Sequence, residues 1–342
     1  LIKILKWFAF VVCITSLAVY FAYYRWNELC LPVCGQSEKR DVFIKYGIGV
    51  REIAKLLENE GVIRSQYVFL YLAWKDGSLR KMQPGEYELD CSLPPEKHLE
   101  DIVAGKVKLY KIVIPEGSNL FDVKRIFEES GIFEDSDLLA YATDREFLRN
   151  FGFESDSAEG FMFPDTYHFP RGLTTKKALS IIFKHFWDVW EKDGFSKKLT
   201  ELGLDVTDVI TLASIVEKET ASSEERGLIA GVFWNRLKRD IPLQADPTVT
   251  YGLLTQDEPL VKRLTKKDLQ TLHPYNTYLL RGLPKGPIAN PGKEAIKAVL
   301  YPTKTDYIYF VSRNDGTHQF SRKLSEHNMA VNLYQRADND DN

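Results

Sequence analysis

Thiol and metal chemistry have little to work with in this chain. Its 342 residues include four cysteines, three methionines and six histidines. No Cys or His group shows zinc-ligand spacing and there is no HExxH, so neither a metal nor another cofactor is expected. GxSxG, GxxxxGK[ST] and a complete GxGxxG are also missing, which argues against a serine hydrolase and a nucleotide enzyme. Charge of one sign is lacking too. Lys and Arg number 45 against 48 Asp and Glu, a formal net of −3. Without a basic excess, nucleic acid is not an expected partner. What remains is ordinary globular material, 44% hydrophobic and 27% charged, long enough for two or three folded units.

Charge is also absent from residues 7–24, WFAFVVCITSLAVYFAYY. That length suffices for a membrane span. Lys3 and Lys6 precede it, so the positive-inside rule puts residues 1–6 in the cytoplasm, a transmembrane helix at 7–25, and the rest outside the inner membrane. Tyr20, Tyr23, Tyr24 and Trp26 suit the aromatic belt of the interface. Ser16-Leu17-Ala18 has the small-x-small form of a signal cleavage site, but the apolar run continues through Ala22, which favours a single-pass anchor. Cys30 and Cys34 flank a Leu-Pro-Val tripeptide and could pair in an oxidising compartment, leaving Cys91 alone.

Residues 26–40 read as a polar linker. An internal echo follows. FIKYGIGVREIAKLLENEGVI (43–63) matches KIVIPEGSNLFDVKRIFEESGIF (111–133) at an offset of 70, with Gly47 on Gly117 and Gly61 on Gly131. Each copy has the pattern of a strand, a turn glycine, an amphipathic helix and a glycine stop. Residues 41–107 form a first module that resembles LysM modules, which bind glycans of cell walls; the same residues also suit a generic βα packing unit. Residues 108–335 form the larger domain, in which 108–135 repeats the strand–helix pattern. Residues 336–342 form an acidic tail expected to be disordered. Helical patterns dominate, the last third is loop-rich, and a hairpin is expected around Asn314-Asp315-Gly316. The fold class is α+β.

One helix, expected from Asp208 as its N-cap to Ala221, carries the sequence ASIVEKETA. Val209, Leu212, Ala213 and Val216 make an apolar stripe on it, Lys218 points away, and Glu217 and Glu219 lie on the stripe's two edges. A carboxyl at such an edge is partly desolvated, which raises its pKa and suits a proton donor. Two surface glutamates would give the same pattern, and helix geometry does not choose between them.

Four further stretches fix their backbones with Pro and Gly and present polar groups: EGFMFPDTYHF (159–169), LQADPTVTYG (243–252), YNTYLLRGLPKGPIANPG (275–292) and the hairpin. In this order, behind one apolar N-terminal segment, these motifs and ASIVEKET resemble the endolytic murein transglycosylase family, the YceG-like proteins. The resemblance covers nearly the whole chain. It implies cleavage of the β-1,4 bond between N-acetylmuramic acid and N-acetylglucosamine in peptidoglycan, leaving a 1,6-anhydro end. It also implies Glu217 as the catalytic acid and then base; Glu219 is then read as structural. Glu159, Asp165, Tyr167, Gln244, Asp246, Tyr275, Asn276 and Asn290 are candidates for binding the glycan strand, and Tyr251 for stacking on a sugar face. Peptidoglycan polymerases are the expected protein partners. A membrane-anchored, non-catalytic wall-binding scaffold is the alternative.

Overall fold

The computed structural model describes residues 2–135, 137–219, 222–256 and 264–336. The expected helix end at 220–221 and nearly all of the acidic tail, 337–342, lie outside the described residues. The chain divides into two compact units. Unit 1 is Leu1–Tyr110 with His168–Leu173, and unit 2 is Lys111–Tyr167 with Thr174–Asn342.

Unit 1 begins with α1 (Ile2–Leu29), of which Ile4–Leu29 is long and apolar enough to cross a membrane. It continues with β1 (Lys39–Ile44), α2 (Val50–Asn59), α3 (Gln66–Lys75), β2 (Gly85–Asp90) and α4 (Pro95–Val103). β1 and β2 pair antiparallel, Lys39 opposite Asp90 and Ile44 opposite Gly85. Strand alternation turns Val42, Ile44, Tyr87 and Leu89 inward. There they meet Leu57 of α2, Phe69 of α3 and Ile102 of α4. The segment expected to be a linker is instead partly helix and partly fastened. α1 runs to Leu29, and Arg64 donates to the carbonyl oxygen of Pro32 at 2.9 Å. The disulfide joins Cys34 to Cys91, not to Cys30, which is free. The fold aligns residue 34 with the end of β2, where the Cys34 N–H donates to the Cys91 carbonyl at 3.0 Å.

Unit 2 takes up β3 (Leu109–Ile114), α5 (Leu120–Ser130), α6 (Leu138–Ala142), α7 (Arg145–Arg149) and β4 (Asp165–Pro170). β3 and β4 form a two-stranded sheet. Then come α8 (Thr175–Lys192), α9 (Phe195–Leu202), α10 (Val206–Glu219), α11 (Arg226–Lys238), α12 (Asp246–Leu254), α13 (Lys266–Gln270) and α14 (Lys293–Leu300). The hairpin of β5 (Tyr309–Ser312) and β6 (His318–Ser321) turns through Asn314 and Gly316, both at positive φ. α15 (Leu324–Val331) runs on into a π-helical turn, Asn332–Arg336. The loop-rich reading of the last third missed α12 and α14. Pro247 sits in the first turn of α12 and Pro291 just before α14, positions where proline starts a helix instead of breaking it.

The two strand–helix copies coincide at the offset of 70. β1 and β3 show the same alternation of buried residues, and α2 and α5 start at Val50 and Leu120. Gly47 and Gly117 have φ of 83° and 73°, and Gly61 and Gly131 have 67° and 60°. L side chains rarely adopt that region, so glycine is the residue that makes each turn.

α10 departs from the expected pattern. Instead of one apolar stripe it is buried all round from Val209 to Val216, packed by α11, α12 and α14. A helix enclosed in this way has no solvent-facing side to read from periodicity. It also starts before the expected cap. The Asp205 carboxylate accepts the Thr207 N–H at 2.7 Å, and Asp208 lies in the first turn. After Asp208 in the first turn, charged residues reappear only where α10 leaves the core, at Glu217, Lys218 and Glu219.

Candidate active site

Glu219 leaves the core into a cleft of about 720 Å³, lined also by Arg236 of α11, by Gln244 and Asp246 at the start of α12, by Tyr278 and by His318 of β6. Gln244 holds a φ of 52°, costly for a side chain of its size. The surroundings enforce it. Its N–H donates to the Thr277 carbonyl at 3.0 Å, the Ala245 N–H to Thr277 Oγ1 at 3.0 Å, and the Thr248 and Thr277 hydroxyls lie 2.8 Å apart. Arg236 donates to the Leu243 carbonyl at 2.7 Å and to Gln244 Oε1 at 2.9 Å. The Tyr278 hydroxyl donates to Asp246 Oδ1. Behind His318, Glu225 accepts that residue's backbone N–H at 3.0 Å and shares a hydrogen bond with its ring Nδ1 at 2.6 Å. Gln244, Asp246 and His318 are thus each oriented by a neighbouring side chain.

Burial pushes the Glu219 carboxyl up to about 8; the Asp246 carboxylate adds to the rise and the Arg236 guanidinium opposes it. Glu219 is still not sealed off, because part of it reaches the cleft. The site therefore offers a carboxyl that keeps its proton at neutral pH and faces open space. It can give up that proton to a bound oxygen and take one back.

Glu217 is clasped. Its side chain is only 6% exposed and forms an ion pair with Arg226 at 3.2 Å, while Gly292 N–H donates to its Oε2 at 3.0 Å. Burial raises its pKa as well, but the Gly292 N–H and Arg226 stabilise the charged form and pull against that rise. Around it, Lys218 Nζ donates to the Gly117 carbonyl at 3.1 Å, and the Gly117 N–H to the Asn290 carbonyl at 2.9 Å. The whole forms a polar fastening between the turn before α5, the end of α10 and the loop into α14.

The other expected site residues separate into groups. Gln244 and Asp246 share the cleft with Glu219. Asn290 is fully buried; its side chain accepts the Met162 N–H at 3.0 Å and donates to the Ser118 carbonyl at 2.8 Å. Asn276 is buried too, donating to the Thr271 carbonyl and accepting the Tyr278 N–H. Tyr167 is buried, with its hydroxyl on the Phe163 carbonyl. Glu159 accepts from the Leu120 N–H and the Tyr251 hydroxyl, both at 2.8 Å, and burial pushes its carboxyl up to about 7. Tyr275 packs edge-on to Tyr251 at 4.9 Å. These groups lock loops together. Asp165 is exposed and bonds His185 Nε2 at 2.7 Å.

The model of the YceG-like family matches residues 42–333. The chain belongs to this family. An endolytic murein transglycosylase of Bacillus subtilis is 30% identical over 310 residues, which span 86% of this chain and 84% of that protein. The protein of the same name from Streptococcus pneumoniae D39 is 29% identical over 91% of this chain, which spans 61% of the streptococcal protein's length. A crystal structure of a YceG-like protein from Listeria monocytogenes, 32% identical, superposes with a TM-score of 0.58 over 86% of this chain and 99% of that one.

For this YceG-like chain, sequence reasoning passed over Arg236, Tyr278, Glu225 and His318. Arg236 and Glu225 lie in or beside a helix whose pattern reads as packing, and only the fold brings Arg236 to the cleft and Glu225 to His318. His318 stood within the hairpin already singled out for its polar groups. Among the described residues, one cluster has metal-ligating atoms close together, Cys34, Glu38 and Cys91. With both sulfurs in the disulfide, it has no thiolate to offer.

Proposed function

We propose that this YceG-like chain is an endolytic murein transglycosylase, anchored in the cell membrane with its catalytic unit outside, that cuts nascent peptidoglycan strands and ends their elongation. Glu219 is the acid in this reading, and Gln244, Asp246 and Tyr278 hold sugar. The observation that carries it is a partly desolvated carboxyl, with its pKa pushed to about 8, on the wall of the cleft where those polar side chains converge. Glu217, the residue that the motif's resemblance suggested, keeps a positioning role, because its carboxylate already serves Gly292 and Arg226.

The chemistry needs one carboxyl. Glu219 protonates the oxygen between N-acetylmuramic acid and N-acetylglucosamine, and the C1–O bond breaks. The carboxylate then takes the proton of the muramyl C6 hydroxyl as that oxygen closes on C1. No water enters, and the acid is regenerated. Because the nucleophile belongs to the same sugar, its effective concentration replaces the second carboxylate that hydrolytic glycosidases use. The β1–α4 module, with its LysM-like sequence, would bind glycan, and polymerases that release new strands at the membrane are its natural neighbours.

Mass spectrometry of products from intact peptidoglycan tests this. The natural chain should give anhydro ends, one water lighter than reducing ends. Glu219→Gln should give about 10³-fold fewer, and Glu217→Gln should still give them. Loss with Glu217→Gln alone would return the acid role to Glu217. Glycan binding without any cleavage by the natural chain would leave a wall-binding scaffold.

A further inference from the structure

α3 has the wrong outer face for a helix on the surface of a water-exposed module. Val68, Phe69 and Ala73 fill the core of unit 1. The opposite side of a surface helix is normally polar. Here Tyr67, Tyr71 and Trp74, at helical spacings of four and three, are 73%, 43% and 66% exposed. Their rings are continuous with α1. Trp26 meets Tyr71 edge-on at 5.0 Å, and Tyr71 meets Trp74 at 6.0 Å.

The height of this stripe above the apolar helix is set by covalent and hydrogen-bonded ties, because no flexible tether intervenes. α1 continues unbroken to Leu29, only about 8 Å beyond Tyr24 at helical rise. Arg64 then holds the Pro32 carbonyl, and the Cys34–Cys91 disulfide fastens the next residues to the end of β2. If α1 spans a bilayer, the stripe stands at the level of the headgroups. Aromatic side chains favour that level, because their apolar rings and polar edges match its gradient.

We infer that Tyr67, Tyr71 and Trp74 of α3, joined to Trp26, form a lipid-facing surface that seats unit 1 on the outer leaflet of the membrane α1 crosses. This rests on the anchoring proposed above. It assigns α3 to lipid and not to glycan, and it makes unit 1 a collar on the bilayer instead of a domain on a tether.

The full chain in nanodiscs, with or without brominated acyl chains, tests the inference. Subtracting the emission of Trp74→Phe from that of the natural chain isolates Trp74, and Trp7→Phe isolates Trp7 in the same way. Brominated lipid should remove roughly half of the Trp74 signal, as it should for Trp7. Quenching of Trp7 with Trp74 untouched would overturn the docking surface and leave the anchor standing. Quenching of neither would overturn both. A Trp74 signal that responds to added soluble glycan strands but not to brominated lipid would make the stripe a sugar platform and likewise overturn the inference.

Discussion

Glu217 and Glu219 stand two residues apart at the end of one buried helix, and the fold gives them opposite situations. Glu217 is held by two groups that favour its charged form, the Gly292 N–H and Arg226, against the opposing charge of Glu116. Glu219 sits on a cleft wall with a carboxylate neighbour, Asp246, that favours its protonated form. Both pKa values are raised by burial. The difference is therefore not desolvation alone but what each carboxyl is free to do. A group whose charge holds a loop in place is poorly suited to shuttle a proton, and a group facing open space is well suited to it.

The largest effect expected from breaking this contrast is in turnover. Glu219→Gln should lower glycan-strand cleavage by about 10³-fold, the scale of a lost general acid, while Glu217→Gln stays within about tenfold of the natural chain. Anhydro-end release assayed on both variants, with circular dichroism to verify folding, measures the split.

Next is pH. Glu219 must carry its proton to act, and it holds that proton up to about 8. Cleavage should therefore decline as pH rises through about 8, by about tenfold per unit above it. The same carboxyl bears on stability. Its folded pKa lies above its ordinary 4.5, so the folded chain keeps a proton that the unfolded chain has lost between 4.5 and about 8. Its contribution to stability is full below 4.5 and fades as pH climbs to about 8. Denaturant melts across this window should show a shallower loss for Glu219→Gln.

A smaller effect is expected from the cleft's orienting bonds. Tyr278→Phe frees Asp246 and should cost about tenfold in turnover, equivalent to about 1.4 kcal/mol. On the other side of α10, Glu217→Gln can still accept the Gly292 N–H but leaves Arg226 with only its longer ion pair to Glu116, at 3.9 Å. A loss of about 2 kcal/mol in urea unfolding is expected. Gly117→Ala, at a φ of 73° beside that fastening, should cost about 1 kcal/mol on the same assay.

Much of the architecture was legible beforehand. The repeat offset of 70 predicts both strand–helix pairs because turn glycines and apolar spacing are local signals. The hairpin at Asn314 to Gly316 follows from the same kind of signal. The site was legible as a set of stretches but not as a set of roles. Asn290 and Asn276 carry polar side chains in fixed loops, as a sugar-binding residue would, yet both are buried and bonded to backbone. Arg236 orients Gln244 from a helix of ordinary pattern. Nothing local separates a polar residue that tightens a loop from one that meets a ligand.

By itself the sequence determined the α+β class, the apolar N-terminal segment, the order of the polar loops and the presence of two carboxyls at the end of one helix. These depend on neighbours in the chain. Only the tertiary structure decided which carboxyl meets the cleft, which cysteines join, and which helix face carries the exposed aromatic stripe. Each of those rests on packing between residues far apart along the chain, where burial and charge are set by partners that no local pattern names.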